Sequence, residues 1–121
     1  MKREEFAKVV AEVMDSLPRD FRRRIMNVAV LVEDLPAHQP PQRPGEPKRI
    51  LLGIFHGVPL TQKSTFHLPY GPDHIVLYQK NIEAFCHNEA ELKEQIRRTV
   101  LHEFGHYFGM TEEQLRKAGI G

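Results

Sequence analysis

Two histidines four residues apart, with a glutamate directly after the first, stand in the segment Leu101-His102-Glu103-Phe104-Gly105-His106. On a helix, residues four apart lie on one face about one turn from each other, so both imidazoles can reach a single tetrahedral ion. Glu103 is turned by about 100° from His102, which puts its carboxylate beside such an ion rather than on it. There it can take a proton from a metal-bound water whose pKa the ion has lowered to roughly 7. Zinc suits this donor set, because a catalytic zinc takes three protein ligands and keeps one position open.

The third ligand must come from elsewhere. Gly109, three residues after His106, can adopt a left-handed conformation and end the helix in a tight turn. That turn would carry the chain back toward the ion and bring Glu112, ten residues after His102, into reach as an oxygen ligand. Glu113 is the reserve. The plainer reading of Glu112 is an acid in the first turn of a helix capped by Thr111, where backbone donors favour negative charge. Fifteen residues follow His106, so a ligand from a distant later helix is not expected.

Other elements must position this segment. Asn88 can cap the helix that carries it, with Glu91 completing a capping-box-like pattern. Leu92, Ile96, Val100, Leu101, Phe104 and Phe108 form its apolar stripe, largely opposite the histidines. Near the N-terminus, Phe6, Val9, Val10, Val13, Met14 and Leu17 recur at helical spacing, and Pro18 ends that helix. A short helical stretch is expected over 19–25, where Arg22, Arg23 and Arg24 read as a solvated face. Residues 27–33 read as a strand, apolar on both faces and therefore internal. Further strands are expected at 50–55 and 74–78. Residues 36–49 hold five prolines and a glycine and read as an exposed loop, and 57–71 are turn-rich. Helix, strands, helix and helix in that order imply one α+β domain over 1–121, with a small sheet backed by helices.

The segment HEFGHYFGMTE is similar to the short metzincin-style pattern HExxHxxGxx(H/D). With NVAVLVEDL, LLGIFHGVPL and HIVLYQKNIE upstream, HEFGHYFGMTEEQL more closely resembles the small bacterial zincin-like metallopeptidases, or minimal zincins, from about Phe6 to Leu115. The resemblance implies a compact domain in which a small mixed sheet is backed by an N-terminal helix and a long active-site helix. It implies metal ligation by His102 and His106 and a catalytic base at Glu103. The family usually has Asp where this chain has Glu112, and glutamate is one methylene longer. The methionine turn of larger metzincins has no counterpart, since Met110 precedes Glu112. In zincins a strand borders the cleft and pairs with extended substrate, and HIVLY, with Tyr78, is expected in that place.

Bulk properties narrow the function. Net charge is +1, hydrophobic residues make up 40% and charged residues 27%, so a dedicated nucleic-acid or membrane-surface binder is not expected. No apolar stretch approaches the length of a membrane span, and MKREEFAKVV lacks a signal-peptide core, so the expected location is the cytoplasm. Cys86 is the single cysteine, which excludes an internal disulfide and reads as a small buried thiol. Tyr107 reads as packing rather than an oxyanion donor. His38, His56, His67, His74 and His87 lack paired spacing and read as surface or core. A peptide or protein substrate is expected, cleaved with zinc and Glu103. Two other functions fit less well. RNA-maturation endonucleases carry three histidines at the offsets of His102, His106 and Glu112, but the near-neutral charge and Glu103 speak against RNA. The other is a non-catalytic zinc-binding or interaction domain; three ligands with an open fourth position speak against a structural zinc, which is normally closed by four.

Overall fold

The structure, a computed structural model, describes residues 1–25, 28–37, 44–45, 50–57 and 73–117, apart from the side chains of Asp20, Glu112 and Leu115. Most of the proline-rich 36–49 segment and nearly all of the turn-rich 57–71 segment lie outside the described residues, as do His38 and His67.

Helix α1 (Arg3–Asp15) buries Phe6, Val9, Val10 and Val13, the face its apolar spacing predicts. It closes at Ser16, whose hydroxyl donates to the Val13 carbonyl at 2.8 Å, two residues before Pro18. The short α2 (Arg19–Ile25) follows and leaves Arg22, Arg23 and Arg24 exposed. The Arg24 guanidinium covers the Phe108 ring at 5.2 Å.

The long helix α4 (Glu89–Tyr107) starts where expected. The Asn88 side chain accepts from the Glu91 N–H, and the Glu91 carboxylate reaches back to the His87 N–H at 2.7 Å. Leu92, Ile96, Val100, Leu101 and Phe104 along it are buried and join the α1 face in one core. Each such side chain contributes roughly 1.5–3 kcal/mol on burial, against about 1 kcal/mol for an N-cap. The apolar stripe, more than the cap, fixes α4.

The sheet is mixed, in the order β1-β3-β2. Strand β1 (Ala29–Glu33) runs parallel to β3 (His74–Tyr78), and β2 (Gly53–His56) runs antiparallel to it. Between β3 and α4 lies a short helix α3 (Gln79–Glu83) that the sequence does not announce. This is the α+β architecture expected: among the described residues, a three-stranded sheet with an N-terminal and a long C-terminal helix packed together.

Two strand expectations need correction. Among the described residues Ala29–Glu33 is not internal: β1 stands at an edge of the sheet with alternating exposure, and Leu31 is 46% exposed. HIVLY does not border a cleft: β3 is the central strand, paired on both sides and buried from Ile75 to Tyr78. A continuous apolar run identifies a strand but does not encode which neighbours it will have. The second strand also begins later than expected, at Gly53.

Candidate functional site

Opposite its buried stripe, α4 presents His102 and, one turn on, His106. Their Nε2 atoms stand 3.1 Å apart, with the ring planes at 81°. Two imidazole nitrogens at zinc distance on one tetrahedral ion would be about 3.3 Å apart. One stretch of helix thus supplies nearly the spacing that zinc requires, and the residues present fit the ion.

Glu103 is half-buried beside the pair. Burial pushes its carboxyl above the ordinary carboxylate range, while His102, a hydrogen bond from the Phe55 backbone N–H, and His106 pull the other way. The Phe55 contact ties the carboxylate to β2. It also shows which way that strand faces. The Tyr78 N–H donates to the Leu52 carbonyl, so backbone groups of alternate residues, Gly53 and Phe55, point away from β3. Among the described residues β2 is therefore the sheet edge that looks onto the histidine face of α4. This edge, and not HIVLY, faces the histidines.

The close approach of β2 to α4 depends on Gly53. A Cβ there would lie 2.9 Å from Thr99 Cγ2, 3.1 Å from the Val76 carbonyl oxygen and 3.2 Å from Leu77 Cδ2. Thr99 cannot swing aside cheaply, because it is buried and its hydroxyl donates to the Gln95 carbonyl at 2.8 Å. Overpacking costs about 1–3 kcal/mol, which exceeds the roughly 0.4–1 kcal/mol gained from a stiffer unfolded chain. Gly53→Ala is accordingly expected to lower stability by about 1–2 kcal/mol in urea titration. A variant as stable as the wild type would show that β2 and α4 separate without cost.

Beyond His106, α4 ends as the glycine predicts. Gly109 has φ +78°, its N–H bonds to the His106 carbonyl, and the Met110 N–H bonds to the Gly105 carbonyl at 2.8 Å. These are the two bonds of a Schellman turn. Thr111 and Gln114 then exchange side-chain and backbone hydrogen bonds, a capping box that starts α5 (Glu112–Lys117). Glu112 is the first residue of that helix, and its side chain, the expected third ligand, lies outside the described atoms. Glu113, the reserve, is exposed and pairs with Lys117 at 3.6 Å. Among the described residues no group of three potential ligands converges.

Other candidates take structural places. Tyr107 is buried, donates to Asp73 at 2.9 Å and packs against Phe55 with the rings tilted and their centroids 4.4 Å apart. It braces α4 against the sheet. His56 and His74 are cross-strand partners with stacked rings, a pairing that their distance in sequence hides. Phe55 faces α4, so His56 and His74 lie on the opposite side of the sheet. The Cys86 thiol donates to the Ile82 carbonyl. Burial, then Glu91 and Glu83, push it above the usual thiol range, unlike a nucleophile.

Sequence reasoning missed Gly53 and the Phe55 N–H, and also the residues that extend the site along α4. A cleft of about 280 Å³ runs from His102 and Glu103 past Thr99, Arg98 and Gln95. The helical spacing 95, 98, 99, 102 continues the histidine face and could have found these three. A lone glycine at the head of an apolar strand could have marked the close approach.

Among the described residues no helix is long and apolar enough to cross a membrane. A comparison with curated protein sequences finds no match. Among solved structures, a conserved hypothetical protein from T. thermophilus shares the fold, with a TM-score of 0.57 and 22% identity over 99% of this chain and 100% of that one. The sequence pattern of the zincin-like metallopeptidases matches residues 25–120, which spans β1, the cleft strand and the whole of the histidine helix. The chain belongs to the zincin-like metallopeptidase family.

Proposed function

We propose that this protein is a zinc-dependent peptidase in which His102, His106 and Glu112 hold the metal and Glu103 moves the proton. One observation carries the reading: two Nε2 atoms 3.1 Å apart beside a half-buried carboxylate whose proton affinity burial has raised. When bound, zinc would supply Lewis-acid chemistry, polarising a carbonyl and acidifying water.

The remaining work falls to the chain itself. Glu103 accepts a proton from water as the water oxygen adds to the peptide carbonyl carbon. It then returns that proton to the departing amine nitrogen as the C–N bond breaks. A carboxyl held above its ordinary range suits both halves, since it must keep the proton between them. The hydrogen bond from Phe55 fixes where the carboxylate sits. An extended peptide can lie along β2 and pair with the outward backbone groups that Glu103 leaves open, as an added strand.

The test is cleavage of a mixed peptide library read by mass spectrometry. Zinc-loaded protein is expected to cut, chelated protein to lose at least about 100-fold in rate, and added zinc to restore it. Undiminished cleavage after chelation would overturn the proposal. Cleavage of single-stranded RNA in place of peptides would move the reading to a nuclease.

A further inference from the structure

The cleft beside the histidine pair is asymmetric in its chemistry. One wall is the apolar run Ile50, Leu51 and Leu52, and the other is the α4 surface with Gln95, Arg98 and Thr99. We propose that Arg98 makes this cleft a carboxylate-binding subsite, so that peptides are taken with an acidic side chain within about two residues of the bond cut. This rests on the peptidase reading above and names the substrate class of that same site.

Position comes first. Arg98 is four residues before His102 on the same helix face, about 6 Å along the axis. An extended peptide covers that distance in about two residues at roughly 3.3 Å each. A cleft of about 280 Å³ has room for a side chain rather than for a folded surface.

Charge comes next. Among the described residues that line the cleft ahead of His102 and Glu103, Arg98 alone is charged. Thr99 spends its hydroxyl proton on the Gln95 carbonyl, and the Gln95 amide lies 3.4 Å from the Thr99 oxygen. Arg98 is steadied on its far side, where its Nε donates to Glu94 at 3.1 Å. Glu94 also accepts from Arg97, so one carboxylate is shared between two guanidiniums and a positive charge remains. Among the described residues no partner meets the Arg98 Nη1 and Nη2 groups. Such a fork matches a carboxylate with two parallel hydrogen bonds.

A carboxylate can come from an Asp or Glu side chain or from a peptide C-terminus. Two matched peptide sets separate them: internal Asp or Glu with an amidated end, and neutral side chains with a free end. For zinc-loaded wild type, kcat/KM is expected to be about tenfold higher for the internal acidic set than for neutral amidated peptides. Arg98→Gln should bring that ratio to about one, and Arg98→Glu should invert it in favour of Lys. A ratio near one in the wild type, or one kept in Arg98→Gln, overturns the subsite. Preference for the free-end set alone overturns the side-chain assignment. The same peptides are also titrated by fluorescence anisotropy against zinc-loaded Glu103→Gln, with and without Arg98→Gln. That arm reads the subsite without turnover. If the wild type cuts no peptide, the peptidase reading fails, while tighter binding of acidic peptides that needs Arg98 would still support the subsite, and equal binding would remove it.

Discussion

Glu103→Gln is expected to abolish turnover while leaving zinc content and fold unchanged. Glutamine keeps the shape of the side chain, and its amide oxygen can still accept the hydrogen bond from the Phe55 N–H. What it loses is the ability to hold a proton. Removing a positioned general base lowers a rate by about 10²–10⁴-fold, so kcat on any peptide the wild type cleaves should fall by at least about 100-fold. Zinc stoichiometry and the melting temperature provide the controls. Cleavage at the wild-type rate by this variant would sink the assignment of Glu103. Glu103→Ala is a poorer test, since it also strips Phe55 of its acceptor and mixes a structural loss with the chemical one.

The second large effect is expected at His106. Its Nε2 is one of two nitrogens held 3.1 Å apart, and a chelating pair reduced to one imidazole loses most of its hold on the ion. Replacing groups that merely orient a ligand costs about 10–100-fold in metal affinity. Loss of a ligand should therefore exceed about 100-fold in equilibrium dialysis against a zinc buffer. The change is mild for the fold. His106 is exposed in the last turn of α4, and alanine is the better helix former. Metal-free His106→Ala should match metal-free wild type within about 0.5 kcal/mol. Should the variant retain stoichiometric zinc, His106 is not a ligand. The two variants separate the roles: His106→Ala loses the metal, whereas Glu103→Gln keeps it and loses the reaction.

The expectations that held describe short stretches of chain. Asn88 and Glu91 at the start of α4, Gly109 at its end and Thr111 at the head of α5 all act through neighbours within about five residues. Their hydrogen bonds follow from residue type and spacing. The face of α1 that carries Phe6 to Val13 was legible for the same reason, because helical periodicity states which side is apolar.

The strands behave differently. AVLVE and HIVLY are alike in apolar content, yet among the described residues the first forms an exposed edge and the second the centre of the sheet. Their pairing joins segments far apart in the chain, such as Ala29 with His74, and no local pattern fixes that choice. Gly53 and Phe55 were missed for the same reason. Their importance lies in what α4 brings opposite them, Thr99 to the one and Glu103 to the other.

For this protein the sequence alone determined the placement of the histidine pair on its helix. His102 and His106 share one helix face, one turn apart, wherever that helix is placed. Only the tertiary structure decided what faces them: the edge of β2, a backbone donor to Glu103, and a cleft with Arg98 on its wall. A helix fixes distances within itself through its own hydrogen bonds, whereas a sheet edge and a cleft exist only once distant segments have packed.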